Sequence, residues 1–225
     1  MLISTISSLF PGKKNFVFLG EAGSGKTEIS TSFASALANS NPFPVHFFDL
    51  DQTKPLFRAR DCIMEKDNLF LHYQDQFLDA PTVPPGVNER LSDNDSIVVL
   101  DIGGGYYGTH MIGQFADTLS SAETEVFYIV NPYRPWSRTR EDIDITMSHI
   151  LSSSSLKISS VIANPNISEE TTVDTVLSGV IRVEHLLSEY PICFVAVSSS
   201  LADEIGQRSH YPVFPIVCKT SPLWI

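Results

Sequence analysis

Short apolar segments alternate with stretches of helical periodicity along most of the chain, and this pattern predicts the order of its elements. After the first strand, Ile29, Phe33 and Leu37 recur at helical spacing. Alternating strands and helices are typical of a mostly parallel sheet covered on both faces. The pattern therefore predicts a three-layer α/β fold, with strands near 15–19, 45–50, 69–71, 97–100, 124–130, 158–163, 192–197 and 213, and helices after residue 27 and over 109–119, 139–151, 169–187 and from 201.

The domain organisation follows from length and from the lack of any recognisable linker or repeat. A chain of 225 residues is long enough for one α/β domain and short for two. We therefore expect residues 1–225 to form a single domain. Residues 52–95 are irregular and rich in proline, and we interpret them as an insert with a functional or mobile role.

The first turn between a strand and a helix carries the most specific motif in the chain. Residues 20–27 read Gly-Glu-Ala-Gly-Ser-Gly-Lys-Thr and fit the pattern G-x-x-x-x-G-K-[ST] of a phosphate-binding P-loop. Glycines let several backbone N–H groups converge on one anion, and the following helix adds its positive end. Lys26 would act on the β- and γ-phosphates, and Thr27 would bind Mg²⁺. The predicted nucleotide-binding residues are Gly20, Glu21, Ala22, Gly23, Ser24, Gly25, Lys26, Thr27 and Glu28.

A second acidic motif follows the apolar run at 97–100. Asp101 occupies the place of a Walker B carboxylate, which holds the Mg²⁺ shell directly or through water. Asp101-Ile102-Gly103-Gly104 also fits D-x-x-G, in which a glycine N–H can sense the γ-phosphate. The alternative is an aspartate that only caps the next turn.

With these motifs and Asp49-Leu50-Asp51 at the end of the second strand, the chain resembles the SIMIBI class of P-loop NTPases, which includes the MinD/ParA-type ATPases, nitrogenase iron protein and nickel-insertion ATPases. The resemblance implies that Asp51 orients the attacking water and that Asp49 lies nearer the Mg²⁺ shell or is structural. It also implies that Asn164 reads the adenine edge, with Asn166 as the rival residue. For each of these positions a strand-terminal or turn-forming role is the alternative.

One residue of the P-loop departs from the pattern of the MinD/ParA-type ATPases. The second position of the loop holds Glu21. Many MinD/ParA-type ATPases place a lysine there that reaches the partner's phosphates across a dimer. A carboxylate beside a polyphosphate is repelled, so Glu21 must point away from it or toward a cation. Lys54, Arg58 and Arg60 could supply the charge instead, although a solvated face is the alternative reading of these three.

Charge and cysteine content narrow the partners and the compartment. A net charge of −11 gives no cationic footprint for general binding to nucleic acid or anionic membrane. The three cysteines are odd in number and lie in no C-x-x-C pattern, which favours a reducing, cytoplasmic setting. We expect no signal peptide and no membrane anchor, and the prolines within 211–225 argue against an amphipathic tail helix.

These observations predict a Mg²⁺-dependent ATP hydrolase, slow in turnover, that acts as a nucleotide-driven switch on a protein partner in regulation or metalloenzyme maturation. The resemblance also allows a nucleotide-dependent homodimer. Two alternatives use the same scaffold: a small-molecule kinase with residues 52–95 as a substrate lid, and a nucleotide sensor that does not hydrolyse. ATP is favoured over GTP by Asn164 and by the lack of an N-K-x-D motif.

Overall fold

The computed structural model describes residues 6–51, 59, 68–74 and 83–216, without side-chain detail at 105–107. Its eight described strands form one sheet with the order β3-β2-β4-β1-β5-β6-β7-β8, and every neighbouring pair is parallel. The strands are β1 (Asn15–Leu19), β2 (Val45–Leu50), β3 (Leu69–His72), β4 (Ile97–Ile102), β5 (Thr124–Val130), β6 (Ser160–Ala163), β7 (Ile192–Ser198) and β8 (Val213–Ile216).

The helices cover both faces of this sheet, which confirms the predicted three-layer α/β fold. They are α1 (Lys26–Ser40), α2 (Val87–Ser92), α3 (Gly105–Ile112), α4 (Ala116–Leu119), α5 (Arg140–Ser154), α6 (Val173–Leu186) and α7 (Ala202–Arg208). Short 3₁₀ turns lie at Ile6–Ser8, Gly113–Phe115, Pro135–Ser137 and Ser168–Glu170.

The core has two parts, one on each face, because successive side chains of a strand point to opposite faces. In β1, Phe16 and Phe18 pack with α1, whereas Val17 and Leu19 pack with the helices of the other face. All five residues of β1 are buried, as expected of a central strand covered on both sides. The buried centre of the sheet therefore holds the P-loop strand in a fixed position.

Several helix boundaries differ from the predicted ones for local reasons. The helix predicted over 109–119 begins earlier, at Gly105, and a 3₁₀ turn at Gly113–Phe115 divides it. The helix predicted from 169 begins at Val173, because the Thr172 side chain accepts a hydrogen bond from the Thr175 N–H and caps it there. The short helix α2 lies inside the stretch predicted to be irregular, most of which falls outside the described residues.

Two histidines contact each other at the β3 edge of the sheet. His46 Nδ1 and His72 Nε2 lie 2.9 Å apart, and His72 stacks on Phe48. The pKa of His46 is lowered to about 4, mainly by burial and further by the charges of Arg90 and His72. The Asp93 carboxylate acts in the opposite direction and raises it. Burial, followed by Arg90, also lowers the pKa of His72. Both imidazoles therefore favour the neutral form in the folded protein.

We expect this pair to make the protein less stable in mild acid. The unfolded chain binds a proton near the ordinary His pKa of about 6.5, while folded His46 does so only near pH 4. The resulting stability is fully present above pH 6.5 and is lost as the pH falls towards 4. Urea unfolding at pH 7.5 and pH 5 should show this loss, and His46→Gln should reduce it. His149→Gln, at an exposed histidine, should leave the wild-type pH dependence, and an unchanged pH dependence in His46→Gln would contradict the assignment.

Candidate functional site

The P-loop joins β1 to α1 and has the geometry of an anion cradle. Gly20, Gly23 and Gly25 all have positive φ, and Gly25 caps α1 in the left-handed conformation. A Cβ at Gly20 would lie 2.8 Å from the Ile129 carbonyl oxygen, and one at Gly25 would overlap the Asn164 amide. The loop therefore needs glycine at these positions both for its backbone angles and for its close packing.

Two buried side chains begin α1 at the mouth of this loop. Lys26 is only 1% exposed, and its Nζ donates a hydrogen bond to the Glu21 carbonyl oxygen at 3.1 Å. Thr27 follows it and is also buried. The buried Ser24 Oγ has no hydrogen-bond partner among the residues that the structure describes. An ammonium group, a hydroxyl group and a helix N-terminus thus meet at one place, an arrangement that suits a phosphate.

Asp101 lies beside this loop because β4 pairs with the P-loop strand. In the sheet register Asp101 is the partner of Phe18 in β1 and of Asp49 in β2, and it is fully buried. The Thr27 hydroxyl and the Asp101 carboxylate are the oxygen donors that Mg²⁺ prefers, so this part of the site fits Mg²⁺ chemically. No cluster of three or more potential metal-ligating side chains occurs within the ranges that the structure covers.

The two aspartates at the end of β2 have different surroundings. Asp49 accepts hydrogen bonds from the Asp51 N–H at 3.1 Å and from the Ala59 N–H at 3.3 Å. These contacts tie Asp49 to the backbone of its own segment and favour the structural role of the two predicted for it. Asp51 lies against the next loop, where a Cβ at Gly103 would be 3.1 Å from Asp51 Oδ1.

The D-x-x-G loop after β4 packs directly on the P-loop. A Cβ at Gly104 would lie 2.7 Å from the Ala22 N, closer than real Cβ atoms come to backbone, and 3.1 Å from the Ala22 Cα. Gly104 is thus in van der Waals contact with the turn that carries Ala22. The loop after β4 therefore cannot move closer to the P-loop at this point.

The two asparagines after β6 make different contacts. The buried Asn164 donates from Nδ2 to the Ser24 carbonyl oxygen at 2.7 Å, and within the described part of the chain its Oδ1 has no hydrogen-bond partner. Asn166 Oδ1 accepts from the Ser168 N–H at 2.7 Å and from Thr171 Oγ1 at 3.2 Å, which shapes its own turn. Asn164 therefore supports the underside of the P-loop, and adenine reading stays a prediction for this residue.

Glu21 points back onto its own loop. Its Oε1 accepts a hydrogen bond from the Ala22 N–H at 3.1 Å. Burial raises the pKa of the neighbouring Tyr128 phenol to about 12, and the Glu21 charge adds to that increase. The second P-loop position thus contributes negative charge. The alternative cations Lys54, Arg58 and Arg60 lie outside the described residues.

Sequence reasoning missed the segment after β5, where Arg134 reaches the P-loop. Its Nε donates to the Gly23 carbonyl oxygen at 3.2 Å, and Trp136 lies beside the same glycine. The only sequence signal was position, since residues 131–136 follow a central strand at the end where ligands of parallel sheets bind.

The sheet order, the P-loop at the end of β1 and the adjacent strand β4, which carries Asp101, together form a P-loop NTPase fold. Within the described residues, no helix is long and apolar enough to cross a membrane.

Comparison with solved structures supports this fold. The chain is similar to the cell division protein FtsY of Thermotoga maritima, with a TM-score of 0.52 and 12% identity over 83% of this chain and 62% of that one. It is similar to FtsY of Mycoplasma mycoides at a TM-score of 0.55, with 14% identity over 88% of this chain and 64% of that one. It also resembles the GDP complex of the signal recognition particle 54 kDa protein of Aeropyrum pernix, with a TM-score of 0.53 and 15% identity over 82% of this chain and 41% of that one.

The chain thus spans less than two thirds of the length of these structures. No family model matches the sequence. No curated protein matches it either. At this level of identity the likeness concerns the fold.

Proposed function

We propose that residues 1–225 form a single nucleotide-binding domain that binds ATP with Mg²⁺, hydrolyses it slowly and acts as a switch on a protein partner. The observation that carries this proposal is the contact between Gly104 and the P-loop at Ala22. It links the phosphate cradle to a loop that begins directly after the Walker B strand. A change in the γ-phosphate would therefore change the surface formed by this loop.

Each residue of the site has a proposed role. The P-loop amides from Gly20 to Thr27 bind the phosphates, with Glu28 in the first turn of α1. Lys26 stabilises charge on the phosphoryl oxygens. Thr27 and Asp101 would hold Mg²⁺, which neutralises phosphate charge when bound, while Asp49 supports this edge of the site through its backbone contacts.

Asp51 is proposed to orient the attacking water. Its carboxylate lies next to Gly103, on the side of the loop that faces the end of β2. In hydrolysis the water oxygen forms a bond to the γ-phosphorus, and the bond from that phosphorus to the β–γ bridging oxygen breaks. Asp51 accepts a hydrogen bond from the water and holds it in line, and the proton leaves with the inorganic phosphate.

The nucleotide base is the part of the proposal that most needs a direct comparison. The choice of ATP is supported by Asn164, whose Oδ1 has no hydrogen-bond partner among the described residues, and by a loop after β6 that reads Asn-Pro-Asn. The Aeropyrum pernix structure, by contrast, holds GDP. ATP and GTP should therefore be measured side by side.

The test is phosphate release by wild type and Asp51→Asn with Mg²⁺. We expect slow ATP turnover in wild type, and in Asp51→Asn a fall of about a hundredfold in turnover. The dissociation constant for ATP should change little, because Asp51 contacts the water and not the bound phosphates in this proposal. Asp203→Asn, at an exposed position on α7, is the matched control and should leave turnover at the wild-type rate.

Three results would change the proposal in different ways. Tight ATP binding by wild type without any phosphate release would replace the hydrolase with a non-hydrolysing sensor. Full turnover in Asp51→Asn would overturn the role of Asp51 and leave the hydrolase itself in place. Preference for GTP in both binding and turnover would overturn the choice of ATP.

A further inference from the structure

The segment after β5 is tied to the rest of the fold at several points. Asn131 Nδ2 donates to the Asn166 carbonyl oxygen at 2.7 Å, and Asn131 Oδ1 accepts from the Tyr133 N–H at 3.1 Å. The Tyr133 hydroxyl donates to the Thr175 carbonyl oxygen on α6 at 2.6 Å. Because these bonds fix the backbone on both sides, the next side chain, Arg134, leaves the segment from a rigid base.

Arg134 is directed at the P-loop from this base. Its Nε donates to the Gly23 carbonyl oxygen, and a Cβ at Gly23 would lie 3.9 Å from that Nε and 3.8 Å from Trp136 Cζ2. The guanidinium makes no other hydrogen bond to any residue described by the structure. A guanidinium carries five N–H donors, so this contact uses one of them and leaves four for an anion in the cradle.

The other described arginines are directed elsewhere. Arg140 pairs with Asp144 and Glu189. Arg90 pairs with Glu89 and Asp93, and Arg208 pairs with Asp174 and Glu204. Arg182 donates to the Arg138 carbonyl oxygen, and the Arg138 side chain is exposed.

The P-loop already carries a negative charge near the place where the Arg134 guanidinium lies. Glu21 places a carboxylate in the second P-loop position, with its Oε1 on the Ala22 N–H. A bound triphosphate would add further negative charge there, and among the residues that the structure describes Lys26 is the cation inside the loop that balances it. A positive group at the Gly23 turn reduces this imbalance, and the stabilisation would be largest when charge moves onto the transferring phosphoryl group.

We propose that Arg134 contacts the nucleotide phosphates from within the same chain and stabilises the charge of the phosphoryl-transfer transition state. This inference rests on the proposed function. Arg134 stays protonated throughout and donates hydrogen bonds, while the bond between the γ-phosphorus and the β–γ bridging oxygen breaks and the water oxygen bonds to phosphorus. Because the cation comes from the same chain, phosphate-charge neutralisation would not require a second copy.

The test compares binding of ADP with binding of ADP plus aluminium fluoride, both with Mg²⁺, by calorimetry. Aluminium fluoride imitates the transferring phosphoryl group, so it reports transition-state interactions without turnover. In Arg134→Gln the dissociation constant for ADP should stay within about threefold of wild type, and the aluminium fluoride complex should weaken about tenfold to a hundredfold. This is less than a water-excluded arginine finger contributes, because Arg134 is partly exposed.

Three further variants test whether the effect comes from the Arg134 guanidinium itself. Arg138→Gln removes an exposed arginine from the same stretch and should match wild type in both measurements. Arg134→Lys keeps the positive charge but lacks the planar guanidinium, and it should recover part of the lost aluminium fluoride binding. In Arg134→Ala, added guanidinium ion should restore part of the turnover, which a purely structural defect would not allow.

The outcomes separate this inference from the function on which it rests. Equal aluminium fluoride binding in Arg134→Gln and wild type, with hydrolysis intact, would overturn the inference alone. Equal loss of ADP and aluminium fluoride binding would also overturn it, since Arg134 would then only support the Gly23 turn. A wild-type protein that binds no nucleotide would overturn the proposed function itself.

Discussion

Lys26→Ala is expected to reduce ATP turnover by about a thousandfold and to weaken ATP binding. The ammonium lies inside the P-loop with 1% exposure and is held by the Glu21 carbonyl oxygen, so water cannot take its place without rearranging the loop. Charge interactions in such a water-poor site are much stronger than at the surface. Calorimetry with a non-hydrolysable ATP analogue measures the binding, and phosphate release measures turnover.

Lys157→Ala is the matched control for this prediction, because Lys157 is an exposed lysine that follows α5. It should bind and hydrolyse ATP as the wild type does. Lys26→Arg keeps the charge and adds a planar group, which the packed loop should not accommodate, so it should also lose activity. If Lys26→Ala bound ATP within about threefold of wild type, the cradle would not be the nucleotide site.

The order of strands and helices could be predicted because each element carried a strong local pattern. The apolar run Ile97-Val98-Val99-Leu100 favoured a strand covered on both faces, and it lies beside β1 as β4. The helix after the P-loop was marked by Ile29, Phe33 and Leu37, all of which are buried. The order of strands within the sheet was not readable, because it depends on long-range pairing that no local pattern encodes.

Boundaries failed where capping and tertiary contacts decide them. The apolar stripe of α6 is sharp, yet its start depends on a hydrogen bond from the Thr175 N–H to the Thr172 side chain. The start of α3 is likewise set by a tertiary contact. A Cβ at Gly108 would meet the backbone of Gly103, so this part of α3 packs directly against the loop after β4. Such contacts appear only once the chain is folded.

The parts of the candidate site that form a local sequence motif could be predicted. Contacts between residues far apart in the sequence could not. The P-loop and Asp101 follow from motif and position. The contact of Arg134 with Gly23 spans 111 positions, and that of Asn164 with Ser24 spans 140. Asn164 could be placed at a strand end, but only the fold directs its amide to the P-loop backbone.

The aromatic cluster below the P-loop helix leads to the largest expected effect on stability. Phe33 of α1 is fully buried, and its ring lies within 6.3 Å, centroid to centroid, of the rings of Phe10, Phe16, Phe18, Phe127, Phe194 and Phe214. These residues come from β1, β5, β7, β8 and the segment before β1. The cluster therefore joins α1, which carries Lys26 at its first position, to both halves of the sheet.

Phe33→Ala is expected to lower the free energy of unfolding by about 3–5 kcal/mol, because it removes a buried ring and leaves a cavity that the rigid sheet cannot close. Urea unfolding followed by circular dichroism measures this change. Phe43→Ala is the control, since Phe43 is 44% exposed and its loss should cost about 0.5 kcal/mol or less. Phe33→Leu should fall between the two because it refills part of the space. An equal effect of the two alanine variants would mean that α1 is not held on the sheet by this cluster, and that the P-loop helix takes its position from the loop and Asn164 alone.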